Sequence, residues 1–193
     1  MGSHGRRLMA SRPYRLLASR LIAPWALQGI RPTGDVLEIG GGVGAMAYHV
    51  LSANPGVHMV VTDFDPEMCA VASQTLHRFG TRVDVKEADA NDLPFPDESF
   101  DFVVSLLMLH HTGSWQQTVS EAIRVLRPGG RLVGFDVSAG APLHHQERFE
   151  TLLSVDELAD YLKTLQVASF RVRPGMARSM VRFVVTKQRP RTR

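Results

Sequence analysis

The 193 residues suffice for one domain with a sizeable core, and a composition of 44% apolar and 21% charged residues sets aside disorder, coiled coil and collagen. A single cysteine, Cys69, cannot form an intramolecular disulfide, and without a Cys/His cluster no metal is expected; as a lone thiol inside a helical pattern it reads as a small buried hydrophobe. No stretch approaches the roughly 18 to 20 uncharged apolar residues of a membrane span and no apolar signal core opens the chain, so a cytoplasmic protein is expected.

The net charge of +3 is unevenly spread. Residues 1–31 hold six arginines and no acid, residues 171–193 hold seven arginines and one lysine and no acid, and the body between them carries all 19 acids. Basic ends suit phosphates or an anionic membrane, but these are interleaved with apolar residues, and solvated faces are the simpler reading. Residues 1–31 read as a Leu-rich basic helical segment interrupted at Pro24. Its apolar surface (Leu16, Leu17, Leu21, Ile22, Trp25, Leu27) must dock somewhere, and a helical cover over the mouth of a main domain, 32–193, is expected. Peripheral membrane contact through the same helix stays open.

Beyond it, short apolar runs alternate with helical patterns, which argues for parallel strands joined by crossover helices. The strands are read at 35–39, 57–62, 82–86, 100–105 and 131–135, and the helices at 43–53, 66–79 and 115–126. Pro66 suits a first helical turn, and Arg127-Pro128-Gly129-Gly130 stops the third helix. A further helix that Ser154 or Asp156 can cap precedes two strands, 168–173 and 179–186, with no room for a helix between them, so these pair antiparallel. The expected fold is α/β: a Rossmann-like three-layer sandwich with a seven-stranded, mostly parallel sheet and an antiparallel last strand.

Asp35 to Gly44 (DVLEIGGGVG) ends a strand and opens a helix, with Gly40, Gly41, Gly42 and Gly44 allowing a sharp turn and close approach of a ligand. Read as Gly40-x-Gly42-x-x-Ala45 it matches a dinucleotide loop. Read with Glu38 two residues before the first glycine, it suits a ligand with an ammonium group and repels a pyrophosphate. At this point the sequence resembles the class I S-adenosylmethionine-dependent methyltransferases, in particular small-molecule enzymes of quinone biosynthesis. Val60 to Met68 (VVTDFDPEM), Glu87 to Ala90 (EADA), Leu93 to His111 and Glu121 to Gly130 (EAIRVLRPGG) resemble the family's later segments in the right order.

The resemblance implies S-adenosyl-L-methionine as cofactor, with S-adenosyl-L-homocysteine as product. It implies that Asp63 accepts the ribose hydroxyls, that Asp89 and the Ala90 amide meet adenine, that Phe64 stacks on it, and that Leu106, after strand four, is a further cofactor-binding residue. His110 or His111 is implied beside the methyl group as a general base, since a neutral imidazole can take a phenol or enol proton. Capping roles for Glu38 and Asp63, a core-plugging role for Phe64 and a loop-ordering role for the histidines also fit the residues.

There is no Asn-Pro-Pro-Tyr or Asp-Pro-Pro-Tyr after strand four, so nucleic acid is not expected and a small-molecule acceptor is. The connection at 139–150 holds little material for a substrate lid. An NAD(P)-dependent oxidoreductase is disfavoured by Glu38 and by the lack of a Tyr-x-x-x-Lys pair after strand four. The other alternative is a non-catalytic cofactor-binding module.

Overall fold

The computed structural model describes residues 23–27, 29–139, 152–175 and 178–190. Strands β1 (Asp35–Ile39), β2 (His58–Asp63), β3 (Val83–Glu87), β4 (Phe100–Leu106), β5 (Leu126–Val137), β6 (Val167–Gly175) and β7 (Met180–Lys187) form one sheet in the order β3-β2-β1-β4-β5-β7-β6. The first five are parallel, and β7 enters antiparallel between β5 and β6, as the two adjacent strand patterns required. The helices are α1 (Ala23–Ala26), α2 (Ala45–Ala53), α3 (Pro66–Leu76), α4 (Trp115–Val125) and α5 (Val155–Thr164).

Central strands buried on both faces read as continuous apolar runs because successive side chains serve opposite cores. Val36 and Val104 join Val50 of α2 and Leu76 of α3 on one face. Their neighbours Leu37 and Val103 join Val119 of α4 and Leu158 and Leu162 of α5 on the other. That makes three layers, with Leu158 and Leu162 fully buried and each contributing about 1.5 to 3 kcal/mol.

Local chemistry sets the helix starts. The Asp65 side chain accepts from the Glu67 amide with Pro66 in the first turn of α3, and Ser114 accepts from the Gln117 amide at α4. Ser154, rather than Asp156, caps α5, in a reciprocal box with Glu157. α2 starts at Gly44, which has no side chain to offer.

Two boundaries differ from the sequence reading by more than two residues. α3 ends at Leu76 and tightens into a 3₁₀ turn over His77–Arg82, where Gly80 leaves helical geometry with φ 56°. Arg127 to Gly130 lies inside β5 and does not act as a stop after α4, which ends at Val125. Leu126 already pairs with Phe100, and the register then shifts between Phe100 and Phe102. That irregularity takes up Pro128, which cannot donate to a ladder, and Gly129 with its φ of 81°.

Of the expected N-terminal cover, residues 1–22 lie outside the described residues, as do 140–151 of the short connection. Trp25, Ala26 and Leu27 pack on the α2/α3 side of the sheet. The Trp25 ring meets Phe135 edge-on at 5.0 Å and carries the Arg182 guanidinium 4.8 Å from its centre.

Candidate active site

From β1 the chain runs outward through β2 and β3, then crosses to β4 on the other side of β1. At such a reversal the loops after neighbouring strands diverge and leave a crevice at their C-terminal ends. A cavity of about 580 Å³ occupies it, within the usual range of small-molecule sites. Its wall brings together seven of the residues singled out from the sequence: Gly40, Gly42, Asp63, Phe64, Asp89, Ala90 and His111.

The glycine loop is tied to the end of β2. The Gly41 amide donates to the Thr62 carbonyl at 2.9 Å and the Gly42 amide to Asp63 Oδ2 at 2.8 Å. A side chain at Gly41 would collide with Val61, whereas Gly42, at φ 53°, faces open space. The loop is thus packed from below and bare above. Asp63 also accepts from the Asp65 amide through Oδ1, so its carboxylate stands fixed at the strand end. Asp89 accepts from the Asn91 amide in the turn after β3. Phe64 is 73% exposed and does not plug the core.

Glu38 lies beneath the loop rather than in the wall. It is 3% exposed, the Ala47 backbone N–H donates to its carboxyl, and Oε2 has no hydrogen-bond partner among the described residues. It therefore supplies the first turn of α2 with the acceptor that Gly44 lacks. Burial pushes its carboxyl up to about 8; the Ala47 hydrogen bond pulls the other way, and the nearby Asp63 charge adds to the rise. A buried carboxyl with a spare oxygen and no cation beside it fits a site that receives a positively charged ligand group.

Gly41, Gly44 and Leu106 are not in the cavity wall. Leu106 is the last residue of β4 and packs toward the α2/α3 core. The chain then turns at Leu107, at φ 53°, and it is Leu107 and Met108 that reach the wall. The structure also separates the two histidines. His111 lines the cavity, whereas His110 is buried with Nδ1 2.5 Å from Asp136 Oδ1. Their rings lie 4.0 Å apart, tilted by 45°.

Asp136 was not singled out from the sequence. It sits near the end of β5, fully buried, and accepts from the amides of Met108 (2.9 Å), Leu109 (2.7 Å) and Val137 (2.7 Å) as well as from His110. Cys69 donates to the Asp63 carbonyl, and burial pushes its thiol up, which suits an inert packing role. Among the described residues no group of His, Cys, Asp or Glu can hold a metal ion, and no helix is long and apolar enough to cross a membrane.

This strand order, with a glycine loop and three acids around its reversal, is the architecture of class I S-adenosylmethionine-dependent methyltransferases. A family model described as a methyltransferase domain matches residues 37–134, half of the chain, and the chain belongs to that family. It is 38% identical over 98 residues to the demethylmenaquinone methyltransferase of Thermus thermophilus, a match covering 51% of this chain and 44% of that protein. It is 34% identical over 149 residues to the ubiquinone/menaquinone biosynthesis C-methyltransferase UbiE of Ectopseudomonas mendocina, covering 75% of this chain and 58% of that one. The chain thus spans about half the length of such relatives. The fold matches phosphoethanolamine N-methyltransferase 2 of Haemonchus contortus, solved with S-adenosyl-L-methionine, at a TM-score of 0.78 and 17% identity over 95% of this chain and 60% of that one.

Proposed function

We propose that the protein transfers a methyl group from S-adenosylmethionine to a small-molecule acceptor, and that the acceptor is a ring carbon of a hydroquinone-like compound. The observation that carries the reading is the convergence of the bare glycine loop, Asp63, Asp89 and His111 on one cavity at the sheet's reversal. The curated relatives act on quinone precursors by their names, and an apolar stretch of wall at Leu107 and Met108 beside His111 suits a ring bearing ionisable hydroxyls.

When bound, the cofactor supplies an electrophilic methyl on a sulfonium, whose transfer is an in-line displacement. Asp63 holds the ribose diol with the two oxygens of its carboxylate, and Asp89 and the Ala90 amide hold the adenine edge. Phe64 covers the ring face. Glu38, behind the loop, offsets the cationic end of the ligand. His111 takes the acceptor's hydroxyl proton on a ring nitrogen, which makes the ring carbon nucleophilic; the carbon that gains the methyl then gives up its own proton to solvent and the ring regains aromaticity.

Calorimetry tests the cofactor: S-adenosylmethionine and S-adenosylhomocysteine bind and NADH does not. Turnover with reduced 1,4-naphthoquinone tests the acceptor. His111→Ala should lower kcat by about 10² to 10⁴ and leave S-adenosylhomocysteine affinity near normal. Binding of NADH in place of S-adenosylhomocysteine refutes the reading, and cofactor binding without turnover on any acceptor makes the protein a binding module.

A further inference from the structure

Asp136 is a buried carboxylate that no substrate can reach, yet its hydrogen bonds converge on the turn carrying the cavity's acceptor side. Oδ2 accepts from two successive turn amides, Met108 and Leu109, and Oδ1 accepts from the Val137 amide and from His110 Nδ1. Three backbone N–H groups donate to the carboxyl, which favours its anionic, accepting form, and we assign the fourth donor as Nδ1–H of His110. The same turn is closed by His111 N to Met108 O at 2.9 Å and by Thr112 to Leu109 O through both its amide and its hydroxyl. It begins at Leu107, whose φ of 53° a branched side chain adopts only under constraint. The constraint is visible: Leu107 N is bound to Phe135 O, one residue before Asp136, and the next two amides are bound to Asp136 itself.

We propose that Asp136 is a positioning residue for the acceptor side of the site, acting through His110 and the Met108 and Leu109 amides to hold His111 in the cavity wall. This rests on the methyltransferase reading for its chemical consequence, not for its geometry. Asp136 and His110 touch neither cofactor nor acceptor. They fix where Leu107, Met108 and His111 stand, and His110 stacks against the His111 ring. A carboxylate is needed because four donors face it. The amide of an Asn would keep Oδ1 for the two turn amides and point its own N–H groups at Val137 N–H and His110, so His110 would be driven to the opposite tautomer.

The test uses the whole chain as Asp136→Asn, His110→Leu and His110→Asn, the last keeping a donor near the Nδ1 position. Imidazole ¹⁵N resonances, S-adenosylhomocysteine affinity and turnover of reduced 1,4-naphthoquinone are read for each. Positioning predicts that His111 shows one fixed tautomer in wild type, averaged signals in Asp136→Asn and His110→Leu, and recovery in His110→Asn. It predicts kcat at least tenfold lower in the first two and largely restored in the third, with acceptor KM and S-adenosylhomocysteine Kd within about threefold throughout. Unchanged His111 signals in Asp136→Asn overturn the proposal. So does a His110→Asn enzyme as slow as His110→Leu with wild-type His111 signals, because the His110 ring itself would then do the chemistry. If wild type fails to bind S-adenosylhomocysteine, the methyltransferase reading falls and the His111 resonances alone decide the positioning claim.

Discussion

Replacing Glu38 with Gln isolates what it costs to keep a carboxyl beneath the glycine loop. Glutamate in an unfolded chain ionises near 4.5, whereas in the folded protein burial holds it neutral up to about 8. Between those values the folded state binds more protons than the unfolded one, so stability falls as pH rises through that window, and below 4.5 the penalty is absent. At 1.36 kcal/mol per pH unit, the gap amounts to about 5 kcal/mol at pH 9. Gln is close in shape and keeps an acceptor for the Ala47 N–H, but its amide N–H groups lack a partner where Oε2 now stands alone, which costs about 1 to 2 kcal/mol. The variant should therefore be less stable than wild type by no more than about 1 kcal/mol at pH 5 and more stable by about 3 to 4 kcal/mol at pH 9. Urea unfolding of the ligand-free proteins at pH 5, 7 and 9 gives the comparison. A difference between wild type and Gln that stays constant across that range would refute the assignment of a neutral buried acid.

Asp63→Ala removes the proposed acceptor for two ribose hydroxyls and frees the Gly42 amide, so S-adenosylhomocysteine should bind at least tenfold more weakly by calorimetry. Phe64→Ala should weaken the same ligand by about 1 kcal/mol without altering the thermal midpoint, because the ring is exposed in the ligand-free protein; an unchanged Kd would remove it from the adenine site. Arg124→Ala is a stability test away from the cavity. Its guanidinium bonds Glu121, Asp97 and the carbonyls of Leu93 and Phe95, and its partners are partly exposed, so a loss of about 1 to 2 kcal/mol in urea with normal ligand affinity is expected.

The parallel strands were legible because each is a short apolar run bounded by turn residues, and Asp35–Ile39 was placed to the residue. The start of β5 was hidden because Arg-Pro-Gly-Gly carries the local chemistry of a helix stop, while Leu126 is held in the sheet by a partner 26 residues away. The glycine loop was legible from its residues between a strand and a helix, and Asp63 at the end of β2 and Asp89 after β3 from the family resemblance. A shift of one residue sent the cavity contact from Leu106 to Leu107, since side chains alternate along β4 up to the left-handed turn. Asp136 gave no signal at all: one acid in an apolar strand, its meaning supplied by amides from another segment. The two histidines look alike in sequence, and only the turn's geometry assigns one to the wall and the other to the interior.

The position of β7 has a consequence for how the chain is made. Residues 180–187 form an inner strand, with Val181, Phe183 and Val185 fully buried, although they follow every other strand in the chain. During synthesis β1 to β5 can pair as they emerge, but β5 keeps an open, apolar edge until residues 180–187 have left the ribosome and slid between it and β6. Until then the nascent protein carries its sheet unfinished. That is the interval in which a chaperone, or a second unfinished chain, meets it.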